Sequence, residues 1–585
     1  MLGGISGEEL TGIVASHVGR APLPAAFDQA VRDRAVRVAR RQGLPERIEA
    51  ELAADEPLDV IKHSTFRLFA RTGNRSVCDG QMHRRSRQIN LAAMGVYLGM
   101  NGCAEYLQDL LWAECDSAFW TLSSHENPAA PIDLRVAMCG FHYGLIVKML
   151  QLDGEVTRRV LGEVRRRVLD VYLDPRHSHW WKTHTNNWNA VCNGAVGLTA
   201  MLIERDPKRL TAILRSVLAD LPVFLSGFTA DGGCTEGPGY WRFGFGWYAD
   251  FAAGLYDFTE GRINLMDGEK VARICRYPLG VWVAPGQDLA FADAHDGFMP
   301  AALAARINRF VDVPELFGMC RLTGDGQLAV AALADLLAID EATHEPLADP
   351  ADHLLPDLAV AKVRAGRVTV GAKAGHNAEH HNHNDVGSFV VHRGATFFLT
   401  DLGAPVYSRK TFSDRRYESL FCNSLGHSVP VINGLGQPAG ATFAGTLETD
   451  GLNEGGARTL RIEMAGAYDD ESLMRLTRVI EIPPDGQEIR LTDTFGFSAA
   501  PESVQEVFIT TLPAEAAGDG KSVRIRSDAD GEAELAAVEI DGTFAVAERP
   551  DESAEHRRGE LIRRITFTPA APLAEMTLRF AVRFV

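Results

Sequence analysis

The chain contains no Cys-x-x-Cys pair. Its nine cysteines are odd in number and scattered, so neither a disulfide framework nor a zinc-ribbon spacing can be read from them. Free thiols in a reducing compartment are the expectation. Positive charge is also short. A net charge of −18 argues against nucleic acid or an anionic membrane as the main partner, although a local basic pocket can still receive an anionic substrate. No apolar run approaches the roughly 20 residues of a membrane-spanning helix. The opening stretch MLGGISGEELTGIVASHVGR lacks a basic start, an apolar centre and a small-residue cleavage site, so a cytoplasmic location is expected. Low-complexity tracts and a clean fixed-period repeat are missing as well.

What remains is a large chain with two textures. At 585 residues it exceeds one ordinary domain, and 46% hydrophobic with 23% charged residues suits large cores in a globular protein. From about residue 25 to 350, apolar residues recur at helical spacing. Examples are RQINLAAMGVYLGMNGCAEYLQDLLWAECDSAF, DLRVAMCGFHYGLIVKMLQL and LTAILRSVLADLPVFLSGF. Repeated helix–loop–helix units with irregular loops predict an α/α toroid over residues 1–355. Beyond that point short alternating segments take over, among them RVTVGAKAG, GSFVVHRGATFFLTD, RLTRVIEIPPDGQEIRLTDTFGF and AEMTLRFAVRFV. Period-two patterning broken by Gly and Asp-Gly turns predicts an antiparallel β-sandwich over residues 356–585. The fold class expected is therefore multidomain α+β, toroid first and sandwich second.

Three stretches carry chemistry. In AEHHNHNDVGSFVVHRGATFFLTD, residues 378–401, His381 and His383 precede a strand and would point the same way if extended. Arg393-Gly394 marks a hairpin turn, Asp401 follows on the far side, and His427 comes later in FCNSLGHSVPVING. Two neutral imidazoles and a carboxylate, here His383, Asp401 and His427, make a zinc-type ligand set. In WWKTHTNNWNAVCNGAVGLTAM, residues 180–201, Asn186, Asn187 and Asn189 stand among Trp180, Trp181 and Trp188, more amides than a helix cap needs. Aromatic platforms stack on sugar rings, and amides bind hydroxyls or a carboxylate. In FTADGGCTEGPGYWRFGFGWY, residues 228–248, Tyr240 follows Gly237-Pro238-Gly239, where a ligand can approach the backbone and a phenol can shuttle a proton. Glu236 and Trp241 flank it as substrate-binding candidates, together with Asn186, Trp188, His184 and the loop residue His125. Basic candidates for an acidic substrate are Arg84, Arg85 and Arg87, or Arg415 and Arg416, the last chosen as a binding residue.

Taken together and in this order, NNW, DGGCTEGPGY, HNHNDVGSF, TDLG and NSLGHSVPVING resemble the heparinase II/III-like polysaccharide lyases over most of the chain. The resemblance implies a toroid followed by a sandwich, with the active site in the cleft between them. It implies β-elimination in a uronic-acid-containing polysaccharide or oligosaccharide. A base removes the C5 proton, hydrogen-bond donors neutralise the adjacent carboxylate, and an acid protonates the departing O4. On this resemblance Asn187 binds the carboxylate, Tyr240 is catalytic and His381 faces the substrate. His383, Asp401 and His427 would hold a structural Zn2+ that fixes the loop presenting His381. One position departs from the pattern. Several relatives carry a catalytic His directly after the matching Asn, where this chain has Trp188. His125, His184 or His381 would then supply the base, or Tyr240 would serve as both base and acid. A homodimer is a further expectation of the resemblance, and exo-action on short oligosaccharides follows from a cytoplasmic location. His381, His383 and Asp385 also match the H-x-H-x-D of metallo-β-lactamase-like hydrolases, but Val386 stands where that pattern wants another His.

Two other functional classes compete. A glycoside hydrolase on an α/α toroid would need two carboxylates about the scissile bond, for which Glu236 and Asp231 are available, but it leaves the histidine cluster unexplained. A non-catalytic glycan-binding protein is the other, and the presence of Tyr240 and His381 weighs against it.

Overall fold

The structure is a computed structural model that describes residues 5–54, 60–294, 296–320 and 351–585. The chain forms two compact units. Among the described residues, the first comprises those within 5–227, 240–275 and 298–320, and the second those within 228–239, 276–297 and 351–585. A single cut near residue 355 thus leaves out two short segments, which group with the strands rather than with the helices that flank them in sequence. The part of the expected helical region that spans residues 321–350 lies outside the described residues.

The helical unit is built as its periodicity predicts. Helices Ser76–Leu98 and Cys103–Asp116 form one antiparallel neighbour pair, joined by a turn with Gly99 and Gly102 in left-handed conformation. The helix Asn187–Ile203 carries no charged side chain and is buried along nearly its whole length. Helices Leu134–Met149, Pro207–Ser226 and Gly246–Phe258 pack around it. An all-round apolar helix is stable only when other helices cover it on every side. Its end is pinned by Glu204, which accepts from Arg165, Arg209 and the backbone N–H groups of Arg205 and Asp206.

The second unit is antiparallel throughout its larger sheets. A five-stranded sheet runs His353–Leu355, Val360–Ala365, Val368–Lys373, Phe389–Arg393 and Thr396–Leu399. The hairpin predicted at Arg393-Gly394 is present, with Arg393 opposite Thr396 and Gly394 at a φ of 63°. A nine-stranded sheet centres on Leu473–Ile482, Glu488–Phe497 and Glu575–Phe584, in the register Ile480 opposite Leu491 opposite Phe580. Alternate residues of both sheets, such as Val363, Val370, Val391, Leu476, Ile480 and Phe495, share one core.

Two buried cations fasten the irregular parts to these sheets. Arg478, fully buried, pairs with Asp493 and Glu506 and also donates to the carbonyls of Gly387 and Ser428, at 2.8 and 2.6 Å. Those carbonyls lie at the ends of the two loops that carry His383 and His427. Burial and the neighbouring Asp493 carboxylate push Glu506 well above the usual carboxylate range. Lys362 reaches from its strand to the carbonyls of Leu279 and Trp282, at 2.5 and 2.9 Å, and anchors the 276–297 segment. Burial pulls its ammonium down to about 7.

Candidate active site and metal centre

In the helical unit, the Trp and Asn cluster divides into structural and available groups. Asn189 is structural: its amide donates to the carbonyls of Lys182, His184 and Asp220, and its oxygen accepts from Asn193. Asn186 is the first residue before the helix but makes no capping bond, and its buried Oδ1 has no hydrogen-bond partner among the described residues. Asn187 is buried in the first turn. Gly244 lies against it, so that a Cβ there would stand 3.0 Å from the Asn187 Cβ. This close approach brings the turn Trp241–Phe245, which is wound in the wide π manner, to the start of the Asn187 helix. Tyr240 is half-buried at the head of that turn. π-turns inside helices recur at functional sites because they re-aim side chains.

His125 and Trp188 also meet. Their rings are 4.7 Å apart, edge to face, and Trp180 lies 5.0 Å from Trp188 on another side. His125 Nδ1 is 3.1 Å from the buried Asp133 carboxylate, and its Nε2 lies 3.3 Å from the Arg75 guanidinium. A guanidinium only donates and a carboxylate only accepts, so Nδ1 carries the proton and Nε2 the lone pair. His184 is exposed, with its ring edge-on to Trp180. Trp241 departs from the expectation. It is 1% exposed, stacks on Phe245 and donates its indole N–H to the Ile274 carbonyl. A side chain sealed in the core offers no platform to a sugar.

In the sheet unit, the HNHND segment is an irregular loop rather than a strand, and it turns at His381, whose φ is 57°. The two imidazoles nevertheless converge, on Asp293. His381 Nδ1 lies 2.7 Å from its Oδ2, and His383 Nε2 lies 3.0 Å from its Oδ1. Arg416 donates to Oδ1 at 2.8 Å and Tyr407 to Oδ2 at 3.1 Å. Burial alone would raise the Asp293 carboxyl, but these donors hold it well below the usual carboxylate range. The other face of His381 looks toward Glu236, 3.4 Å from Nε2. Arg416 also donates to the carbonyls of Asn382 and Thr411, so its guanidinium is a strut of this loop. Asp385 forms a buried pair with Lys373 at 2.5 Å, away from any shared set with His381 and His383. Asp231 spends both oxygens on backbone turns: Oδ1 accepts from Gly233, Oδ2 from Asp357 and Leu358.

His383, Asp401 and His427 come together with their ligand atoms within 4.8 Å of one another. Hydrogen bonding assigns the lone pairs. His427 Nε2 donates to the Phe421 carbonyl, which leaves Nδ1 facing Asp401 Oδ2 at 3.0 Å, a contact that needs a proton or a cation between them. His383 Nε2 donates to Asp293, and its Nδ1 is buried with no hydrogen-bond partner among the described residues. Asp401 Oδ1 is taken by the Gly403 N–H, which turns Oδ2 inward. With His427 Nδ1 deprotonated, two imidazole nitrogens and one carboxylate oxygen of this buried cluster have lone pairs to offer, and this donor set fits Zn2+. Burial pulls His427 down, but the Asp401 charge overrides it and holds the ring above its ordinary value, while burial keeps His383 below. A second cluster, Asp293, His383 and Cys422, has comparable spacing. It suits a cation poorly, because Arg416 already neutralises Asp293 and burial pushes the Cys422 thiol up to about 12.

Residues 348–558 match the family model described as heparinase II/III-like, C-terminal. The chain carries a heparinase II/III-like C-terminal domain. That domain contains Asp401, His427 and the whole His381 loop. No curated relative matches the chain in sequence. Among solved structures, a heparinase III superposes with a TM-score of 0.62 at 14% identity, covering 86% of this chain and 76% of that one. A heparan sulfate lyase of Pedobacter heparinus gives 0.56 at 12%, covering 97% and 92%. A chondroitin AC lyase of Streptomyces coelicolor, in complex with chondroitin sulphate, gives 0.54 at 12%, covering 99% and 82%. At such identities the likeness is one of fold: helices first, antiparallel sheets after, around a heparinase II/III-like domain.

Sequence reading missed Asp293, Tyr407 and Asp133. Asp293 lies 88 residues before His381 in an irregular stretch with neither helical nor strand period. Its only local signal is the run Asp-Ala-His-Asp.

Proposed function

We propose that the protein is a lyase that cleaves a uronic-acid-containing oligosaccharide or polysaccharide by β-elimination. The carrying observation is His381, an imidazole set between two carboxylates, with Nδ1 2.7 Å from Asp293 and Nε2 3.4 Å from Glu236, a setting in which a ring can take up and release a proton. In the reaction the C5–H bond breaks and its electrons form the C4–C5 double bond. The C4–O4 bond breaks in turn, and O4 leaves with a proton. Asn187 donates to the uronate carboxylate and lowers the cost of charge at C5. Tyr240 exchanges a proton with the sugar, and His381 faces the substrate with Glu236 beside it. Asn186, Trp188, His125 and His184 contribute sugar contacts. His383, Asp401 and His427 would hold Zn2+, which when bound supplies a fixed positive charge that braces the loop. The hydrolase reading loses its second carboxylate, because Asp231 is committed to backbone N–H groups.

The test is ultraviolet absorbance on a panel of uronate oligosaccharides and polymers, with Tyr240→Phe run alongside. Absorbance from an unsaturated uronate should rise with the wild type and fall by about 10²–10⁴-fold in rate in the variant, the range for losing a positioned proton-transfer group. New reducing ends without absorbance would make the protein a hydrolase. Neither signal would reduce it to a glycan binder.

A further inference from the structure

We infer that Asp293 is a positioning residue that joins the substrate-facing imidazole of His381 to the metal-ligand imidazole of His383. This rests on the lyase reading for the role of His381. The carboxylate is fully buried and accepts four donors, two on each oxygen: His383 and Arg416 on Oδ1, His381 and Tyr407 on Oδ2. By accepting from His383 Nε2 it forces the lone pair of that ring onto Nδ1, the atom directed at Asp401 and His427. By accepting from His381 Nδ1 it fixes a proton on that nitrogen and turns Nε2 toward Glu236. One carboxylate therefore orients both rings and sets the tautomer of His383. A carboxylate behind a ligating imidazole orients the ring and raises its basicity.

The backbone is bent to make this possible. Ala292, next to Asp293, has a φ of 62°, and His381 has a φ of 57°. Neither is glycine, and left-handed backbone at such residues persists only where surrounding contacts hold it. Gly403, at a φ of 60°, gives room on the other side: a Cβ there would stand 2.8 Å from the Ala294 carbonyl.

Asp293→Asn decides the matter, with Asp293→Glu as a second variant should the first not fold, as checked by circular dichroism. Zinc retention is measured by chelator competition on the full chain, and kcat and KM on the best uronate substrate. Both variants should lose zinc roughly 10–100-fold more readily and lose kcat by a similar factor, with KM little changed. In a His381→Ala background, adding Asp293→Asn should lower kcat no further. Zinc retention equal to the wild type, or a kcat loss undiminished in the His381→Ala background, would overturn the inference. A wild type that holds zinc but yields no unsaturated product would sink the lyase reading and the His381 half with it. Zinc retention in Asp293→Asn would then still support or refute the His383 half.

Discussion

At the scale of single residues, hydrogen-bond bookkeeping separates groups that spacing alone treats alike. His383 belongs to two clusters of potential ligands, and only one of its nitrogens, Nε2, is bonded to Asp293. The nitrogen toward Asp293 is a donor, which leaves the other, Nδ1, as the acceptor for a cation shared with Asp401 and His427. This predicts opposite results for two substitutions. Asp401→Asn should lose bound zinc, measured by atomic spectroscopy after dialysis, whereas Cys422→Ser should keep it. The Cys422 thiol, raised to about 12 by burial, should also resist iodoacetamide in the native protein and react once the chain is unfolded. Loss of zinc in Cys422→Ser with retention in Asp401→Asn would reverse the assignment. Trp241, its indole N–H given to the Ile274 carbonyl in the core, makes no sugar contact, and Arg416 is a strut of the histidine loop rather than a receiver of substrate acid.

At the scale of elements, the long buried helix Asn187–Ile203 presents Asn187 at one end and is held by Glu204 just past the other. Burial would raise the Glu204 carboxyl, but backbone N–H groups and the Arg165 and Arg209 guanidinium groups bring it down to about 2. A carboxylate depressed in the folded state contributes stability above its unfolded value, near 4.3, and loses it as pH falls through about 2. Wild-type stability should therefore decline between these limits. Glu204→Gln should be less stable at pH 7 by about 2 kcal/mol and should show a shallower decline, as read by urea unfolding at several pH values. Equal acid slopes for the two proteins would mean that Glu204 does not anchor the helix. Arg478 plays the corresponding part among the strands, since it binds the carbonyls at the ends of both histidine loops while paired with Asp493 and Glu506. Removing one member of such a buried set leaves an uncompensated charge.

At the scale of the whole molecule, the helix-then-sheet order and the heparinase II/III-like domain set the class of fold, and the substrate is a matter for chemistry. The exo-action expected from the sequence predicts a product pattern. On a susceptible polymer, absorbance and new reducing ends should rise one for one while the size distribution of the polymer barely moves, as followed by size-exclusion chromatography. A rapid fall in polymer size at low conversion would establish cleavage within the chain instead. Among the described residues no helix is long and apolar enough to cross a membrane.

Periodicity and punctuation determined a good deal by themselves. The helices over Ser76–Asp116 and Leu134–Met149, the hairpin at Arg393-Gly394 and the run of antiparallel strands to Phe584 follow from patterns of 3.6 and 2 that local backbone geometry enforces. The triad His383, Asp401 and His427 was legible because its residue types are uncommon together and a hairpin separates two of them by a short path. Only the tertiary structure could bring in Asp293, 90 residues from His383, because its partnership depends on where Lys362, Gly403 and the 276–297 segment place an irregular stretch of backbone. It also buried Trp241 while leaving Trp188 half-buried, a difference of helix face that composition does not encode. Local pattern dictates which elements form, whereas long-range packing decides which lone pair faces which donor, and the chemistry of this site depends on the latter.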